Sequence, residues 1–570
     1  MTRVHEARPR DCVQAHFPDG RTFEGPIGTS LEEFVRAAYP DPTIPPMAAI
    51  VDGKLRELGT PIRRDVEVRP IFLTDSDGIR IYTRSLSFLL AACVEELFPG
   101  VELVIEHSVP YGGYYCRVAG RPPLSPEELS RLESHMRRLV EQDRPILRQR
   151  VSLQEARDWF AARGKPHKAE LLSLRGTDHL HLYQLGGFRD YFFGYLVPST
   201  GYLPYFALTP YHDGFILRFP RRERPTELSP PEDYSTLWQV FVEYRRWLEL
   251  LGIYDAWTVN EAVRTGRIRE VILVSEALHE QRIVGIARAI AEATPKRRLV
   301  LIAGPSSSGK TTFTKRLAVQ LIAQGLRPYP VSLDDYFLPR EEMRARGLKD
   351  FDDISALDLD LLARHLEELL SGRPVTLPHY NFRTGTRERG PKLKLARDEL
   401  LLVEGLHALN PSLLPGGMAK DTFGIYVSAL TQLNLDSSVR LHTTDTRLLR
   451  RIVRDAAFRG YPAEETLRLW PNVRRGEKRF VFPYQGRADM MFNSALVYEW
   501  SVLKPRVEPL LLQVRDPRLK IEAERLLATL RWIAPYKGDE IPATSILREF
   551  IGGGILRGYY PTPLERAVGR

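Results

Sequence analysis

Gly304-Pro305-Ser306-Ser307-Ser308-Gly309-Lys310-Thr311 fits the pattern G-x-x-x-x-G-K-[ST]. It lies between an apolar run, Leu299-Val300-Leu301-Ile302-Ala303, and a helix-patterned segment from Lys310 to Gln324 with Gly325 as its natural cap. A strand, a glycine-rich loop and a helix in that order are the context a phosphate-binding loop needs. The glycines let successive backbone N–H groups curl around a polyphosphate, and the helix points its positive end at the same anion. Gly304, Ser306, Ser307, Ser308, Gly309, Lys310, Thr311 and Thr312 are the expected nucleotide-binding set. Within it, Lys310 reaches the β- and γ-phosphates and Thr311 offers its hydroxyl to Mg²⁺. The stretch predicts binding of ATP or GTP.

The rest of the chain is consistent with a multidomain globular protein. Its 570 residues exceed what one core supports, and 43% apolar with 27% charged residues is ordinary. No apolar run reaches the roughly eighteen residues a membrane span requires. The segment Met1 to Arg8 lacks the apolar stretch of a secretory signal. Cys12, Cys93 and Cys116 have no zinc or redox spacing, so a reduced, cytoplasmic setting is expected. The net charge of +9 suits anionic ligands without choosing between nucleotides and RNA.

Outward from the loop, apolar strand-like runs alternate with helical segments from about 296 to 515. This predicts an α/β domain with a parallel sheet whose ligands gather at the carboxyl ends of the strands. Tyr329 to Leu333 and Leu400 to Val403 read as buried strands. The first is followed by Asp334-Asp335, and a carboxylate there can orient an acceptor hydroxyl and take its proton. The second ends in Glu404, an acid that needs either Mg²⁺ or an arginine as partner. Arg451 and Arg454 are three residues apart, share a helix face, and can neutralise phosphoryl charge in transfer.

Five ordered segments resemble the uridine kinase and phosphoribulokinase family. They are the phosphate loop, Ser332-Leu333-Asp334-Asp335-Tyr336, Phe351-Asp352 through Asp358, Pro378-His379-Tyr380-Asn381-Phe382, and Asp445-Thr446-Arg447 through Asp455. The resemblance implies that Asp334 is the catalytic base, and its neighbour Asp335 reads as an aid to Mg²⁺ or a cap of the next helix. It makes Asp352 the anchor of the ribose hydroxyls and Tyr380 and Phe382 the walls of a base pocket. Thr311 and Glu404 become the Mg²⁺ site, Arg451 faces the nucleoside, and Lys310 and Arg454 clamp the phosphates. Asn381 replaces the family's usual aspartate, and Gly385 stands where uridine and cytidine kinases place a base-contacting histidine.

Residues 1–75 resemble the TGS domain, a β-grasp module of threonyl-tRNA synthetases, and 76–215 resemble the synthetase's editing domain, an α+β unit. The editing family's metal ligands, an HxxxH pair and a later C-x-x-x-H pair, align here with Arg84, Phe88, Phe192 and Leu196. A guanidinium and three apolar groups cannot hold Zn²⁺, so metal-dependent editing is not expected. Residues 216–295 read as a helical linker region and 516–570 as a C-terminal helix and tail.

The leading expectation is an ATP- and Mg²⁺-dependent nucleoside kinase with uridine or cytidine as acceptor. The alternatives are an RNA- or tRNA-binding protein with a nucleotide-controlled switch, and a kinase of a non-nucleoside alcohol. A membrane partner is not expected, and an oligomer is compatible with everything above.

Overall fold

The computed structural model describes residues 10–174, 176, 178–232, 234–294, 296–348, 351–414, 421–559 and 561. The outer ends of the expected first and last units, 1–9 and 562–570, lie outside the described residues, as does the expected leaderless start.

Five parallel strands position the chemistry, in the order Arg327–Ser332, Glu399–Gly405, Leu299–Ala303, Thr422–Ser428 and Met490–Asn493. Leu299–Ala303 is buried throughout and pairs with a strand on each side, which is why it reads as an unbroken apolar run. Pro328 and Pro330 fall on the outermost strand, where a missing N–H leaves no neighbour unpaired on the open side. The phosphate loop leaves the carboxyl end of the central strand, Glu404 lies at the end of the next, and Asp334 follows the third. The helix after the loop runs Lys310–Ala323 and ends as Gly325 turns left-handed (φ +81°) and donates to Ile322 O at 2.9 Å.

The stretch 216–295 is helical, as expected, and it packs against the sheet domain instead of linking. It carries the helices Ser235–Leu251, Ala256–Thr265 and Ile268–Ala293. Their apolar residues, Tyr244, Leu248, Ile272 and Ile286 among them, share one core with Val300, Phe313 and Ile425 of the nucleotide-binding layer. Arg316 of the loop helix pairs with Glu276 at 3.4 Å and Glu280 at 2.6 Å, tying the longest of the three to that layer. Apolar periodicity marks which face of a helix is buried but not what buries it, and that is why the sequence reads as a connector.

The front of the chain is a mixed five-stranded β-grasp sheet in the order Thr22–Pro26, Cys12–His16, Val66–Phe72, Pro46–Val51, Lys54–Arg56. The helix Leu31–Ala38 crosses it, started by a Ser30/Glu33 capping box. The next unit is built on the buried helix Ser76–Leu97, a four-stranded and a three-stranded antiparallel sheet, and the helix Pro126–Glu141. Among the described residues no helix is long and apolar enough to cross a membrane.

These front units are bonded to the sheet domain. Ile105 N–H donates to Ser437 O at 2.9 Å, and the Asn434 amide donates to Ile105 O at 2.7 Å. Lys168 Nζ, almost wholly buried, lies 2.6 Å from Asp190 and 3.5 Å from Asp436, and donates to Ser438 Oγ at 3.1 Å. One cation there balances two buried carboxylates from different parts of the chain. Lys168→Met should therefore destabilise the protein by about 3–5 kcal/mol, the cost of stranding buried charge, read from chemical unfolding. A loss below about 1 kcal/mol would mean the contact is solvated and does not join the units.

Candidate functional site

The phosphate loop is shaped by two left-handed residues, Ser307 (φ +59°) and Gly309 (φ +85°), which turn consecutive amides toward one side. Gly304 tolerates no side chain, because a Cβ there would lie 2.0 Å from Val427 O. The Ser307 and Ser308 hydroxyls are buried and make no hydrogen bond of their own among the described residues. Lys310 Nζ rests on Pro305 O at 3.2 Å, curled back over the loop. Curled amides, unpaired hydroxyls and an ammonium without a carboxylate partner among the described residues are a fit for a polyphosphate.

Thr311 Oγ1 donates to Glu404 Oε1 at 3.0 Å. These two oxygen donors come from the loop helix and the adjacent strand, the set a hard divalent cation takes. Burial pushes the Glu404 carboxyl up to about 7, Lys310 opposes that, and nearby Asp334 adds to it. Asp334 is raised as well, by burial first, against the pull of Lys310, Arg459 and Arg454. Asp334, Glu404, the neighbours Lys310 and Thr311, and Arg454 are thus linked through Asp334 and Glu404 in a single cleft.

The helix Thr443–Phe458 supplies the arginines. Arg451 Nη1 donates to Ser306 Oγ at 2.8 Å, and Arg454 Nη2 to Asp455 Oδ1 at 2.8 Å. Asp455, 2% exposed, also lies 3.2 Å from Arg451 and 3.6 Å from Arg459. A second buried carboxylate, Glu477, accepts from the Ser306 backbone N–H at 2.9 Å and pairs with Arg447 and Arg474. Burial raises the Glu477 carboxyl, but those guanidiniums more than offset this and hold it below its ordinary value. Asp455 closes the arginine motif, and Glu477 belongs to no motif.

Asp352 faces the same cleft from the opposite wall. Its charge acts on Arg451, and its Cβ is so close to the helix Ala463–Phe480 that a side chain at Gly476 would approach to 2.7 Å. Asp353 and Asp358, not Asp352, do the local capping, accepting from Ser355 N–H and Leu361 N–H. Phe351, Tyr380, Phe382 and Phe337 form an aromatic cluster, with Tyr380 and Phe382 ring centres 4.9 Å apart. Tyr380 is buried, and Phe382 is exposed at its edge. Asp335 neither caps a helix nor faces the loop: it accepts from Tyr380 N–H and the His379 ring, both at 3.1 Å, fixing that hairpin. Asn381 is used in the hairpin turn, accepting from Arg383 N–H at 3.1 Å. Gly385 (φ +75°) has Arg340 where a side chain would be, 2.3 Å from a Cβ built there, and Arg340 donates to Phe382 O at 2.7 Å.

The C-terminal segment closes the other side of the loop. Thr312 N–H donates to Glu549 Oε2 at 3.1 Å, and a Cβ on Gly309 would meet Ile546 at 2.4 Å. Between this segment and the loop helix lies a cavity of about 290 Å³ bordered by Thr312, Lys315, Phe458, Arg548 and Arg557. Nothing in the tail's composition signals that contact.

The phosphoribulokinase/uridine kinase family model matches residues 299–499. The N-terminal region matches threonine–tRNA ligases, for example those of Paraburkholderia xenovorans and Burkholderia ambifaria, at 35% identity over 199 residues. That match covers 34% of this chain, and the chain spans 31% of the ligases' own length. Similar solved structures include one titled a possible uridine kinase from Bacillus stearothermophilus, 19% identical, covering 37% of this chain and 98% of that one at a TM-score of 0.28. Another is a D-glycerate 3-kinase from Cryptococcus neoformans, 15% identical, covering 46% and 89% at a TM-score of 0.23.

Because the Glu404 carboxyl is raised from 4.5 to about 7 in the fold, the native state binds more protons than the unfolded chain between those values. Its contribution to stability therefore falls as pH rises through that window. Glu404→Gln should flatten this part of the stability–pH profile and raise the melting temperature at pH 8 in metal-free buffer. Equal slopes for both proteins would mean that Glu404 ionises without penalty.

Proposed function

We propose, supported by the match of residues 299–499 to the phosphoribulokinase/uridine kinase family model, that this chain transfers the γ-phosphate of ATP to the 5′-hydroxyl of a nucleoside, uridine or cytidine first. The observation that carries the reading is the charge convergence on Asp334, where Lys310, Arg454 and Arg459 all act on one raised carboxyl. A carboxylate held among cations beside a phosphate loop can accept the acceptor's hydroxyl proton while those cations take up phosphoryl charge. As the new O–P bond forms, the bond from the γ-phosphorus to the bridging oxygen breaks, and ADP leaves with that electron pair. Thr311 and Glu404 would hold Mg²⁺, which when bound neutralises phosphate charge.

Asp352 would accept from the vicinal ribose hydroxyls, since one carboxylate can take two donors. Arg451 lies between that group and the loop. The rings of Phe351, Tyr380 and Phe382 would flank a planar base, and the cavity beside Thr312 is suited to the adenine end of ATP. The missing histidine is answered by Arg340, the cation nearest the place where it would stand. That substitution also supports the second reading, a non-nucleoside alcohol as acceptor, because a guanidinium favours an anionic group over a base edge.

Asp334→Asn should lower turnover at least about 100-fold while ATP affinity is unchanged, measured by product formation and by calorimetry. The purified protein, with ATP and Mg²⁺, would be given uridine, cytidine, adenosine, guanosine and glycerate, with products read by mass. Uridine or cytidine monophosphate supports the proposal. Phosphoglycerate alone supports the second reading, and no product with ATP bound turns attention to an RNA-linked switch.

A further inference from the structure

A second cavity, of about 320 Å³, lies far along the chain from the phosphate loop, at the junction of the front units and the sheet domain. It is bounded by the strand Lys54–Arg56, the helix Ser76–Leu97, the loop at Phe192 to Tyr195, the segment before the arginine helix, and the helix Pro517–Leu530. Five arginines line it, and they fall into two sets. Arg80 and Arg525 are neutralised: Arg80 pairs with Asp77 and Glu522, and Arg525 with Asp445 and Glu522. Arg56, Arg84 and Arg440 form no ion pair with a carboxylate among the described residues.

The contacts of those three fix their direction without satisfying their charge. Arg56 donates to Tyr195 Oη at 3.3 Å and Leu55 O at 3.4 Å. Arg84 donates to Tyr195 O at 2.8 Å. Arg440 donates to Glu106 O at 3.1 Å and Ser108 Oγ at 2.6 Å, with its guanidinium 5.1 Å from the centre of the Tyr114 ring. Burial lowers the guanidinium of Arg84 to about 10, and burial lowers that of Arg440 as well, so neither gains the compensation a buried cation needs. Neighbouring His442 is held down to about 3, chiefly by burial, and adds no charge. Glu524 also borders the cavity, but exposed. Tyr114, Phe192 and Tyr195 give the lining flat apolar surface beside the cations.

We propose that this cavity binds a nucleoside monophosphate or a ligand of the same chemistry, a phosphate on Arg56 and Arg84, with Arg440 adding positive charge to the lining, and a planar ring against the aromatic wall. Two guanidiniums held on the same residue, Tyr195, can share the oxygens of one phosphate, and the volume is that of a small-ligand pocket. Arg84 and Phe192 hold positions where the editing-domain resemblance expects metal ligands, and Arg84 places one cation there. The site also has a route to the cleft. Asp445, clamped by Arg525, is in the first turn of the helix that presents Arg451 and Arg454.

The test is calorimetry on the full-length protein with UMP, CMP, AMP and GMP, and with inorganic phosphate as the ring-free probe. The proposal expects one site for at least one monophosphate, weakened about tenfold or more by Arg84→Leu and by the milder Arg56→Gln, and unaltered by Asp352→Ala. Melting curves check that each variant is folded. A monophosphate whose binding responds to Asp352→Ala but to neither arginine change sits in the kinase cleft and overturns the proposal. So does the absence of binding by every monophosphate at millimolar concentration, or retention of tRNA that none of them competes away. Because the cavity variants leave Asp334 and Asp352 in place, failure here leaves the nucleoside kinase reading standing, and failure of that reading leaves this one standing.

Discussion

A cleft built for polyphosphate must gather cations before any phosphate arrives, and like charges resist being gathered. Here Asp455 and Glu477 make it tolerable. Asp455 lies within ion-pair distance of Arg451, Arg454 and Arg459, and Glu477 is held between Arg447 and Arg474 while accepting from the loop backbone at Ser306. Both carboxylates are almost wholly buried. Each is fully engaged, so it orients guanidiniums without presenting a free negative face to a ligand. The loop, the arginine helix and the helix Ala463–Phe480 are thereby joined in one electrostatic unit. Gly476 extends it to Asp352, because its lack of a side chain lets the two walls approach.

The same balance of charge explains why two carboxyls in the cleft are raised rather than lowered. Asp334 and Glu404 are half-buried at strand ends and repel one another, and Lys310 only partly compensates. A half-buried acid that stores this penalty is ready to take a proton or a metal ion, and a site tuned in that way is less stable than its neutral counterpart. The aromatic hairpin next to it is fixed by neutral means, through Asp335 and the backbone of Tyr380. Acceptor recognition and phosphate chemistry thus rest on separate supports.

The extra layers around the sheet domain have a physical part in the site. The helix Ile268–Ala293 packs behind the loop helix, and the C-terminal segment covers its front, where Glu549 takes the Thr312 amide. The front third meets the domain through direct backbone bonds and a buried lysine with two carboxylates. A change in either layer has a short path to the phosphate loop.

Local pattern was enough for everything that depends on short-range chemistry. The phosphate loop, the apolar strands, the acids Asp334 and Glu404 after two of them, the arginine pair and the strand-rich front are all legible, because glycine placement and residue period are set by neighbours in the chain, while the β-grasp arrangement of that front came from its resemblance to the TGS domain. The match of residues 299–499 to a kinase family agrees with that reading. Long-range partners were not legible. Nothing near Glu477 or Glu549 says that it will meet the loop, and nothing in 216–295 says that its helices are core rather than connector. Asn381, Asp335 and Gly385 have their roles settled by a hairpin and by Arg340, a side chain some forty positions away. Sequence by itself determined the chemistry available at each strand end, since covalent neighbours dictate it. Which buried charges face one another was decided by tertiary packing, because desolvation acts between groups that only the fold brings together.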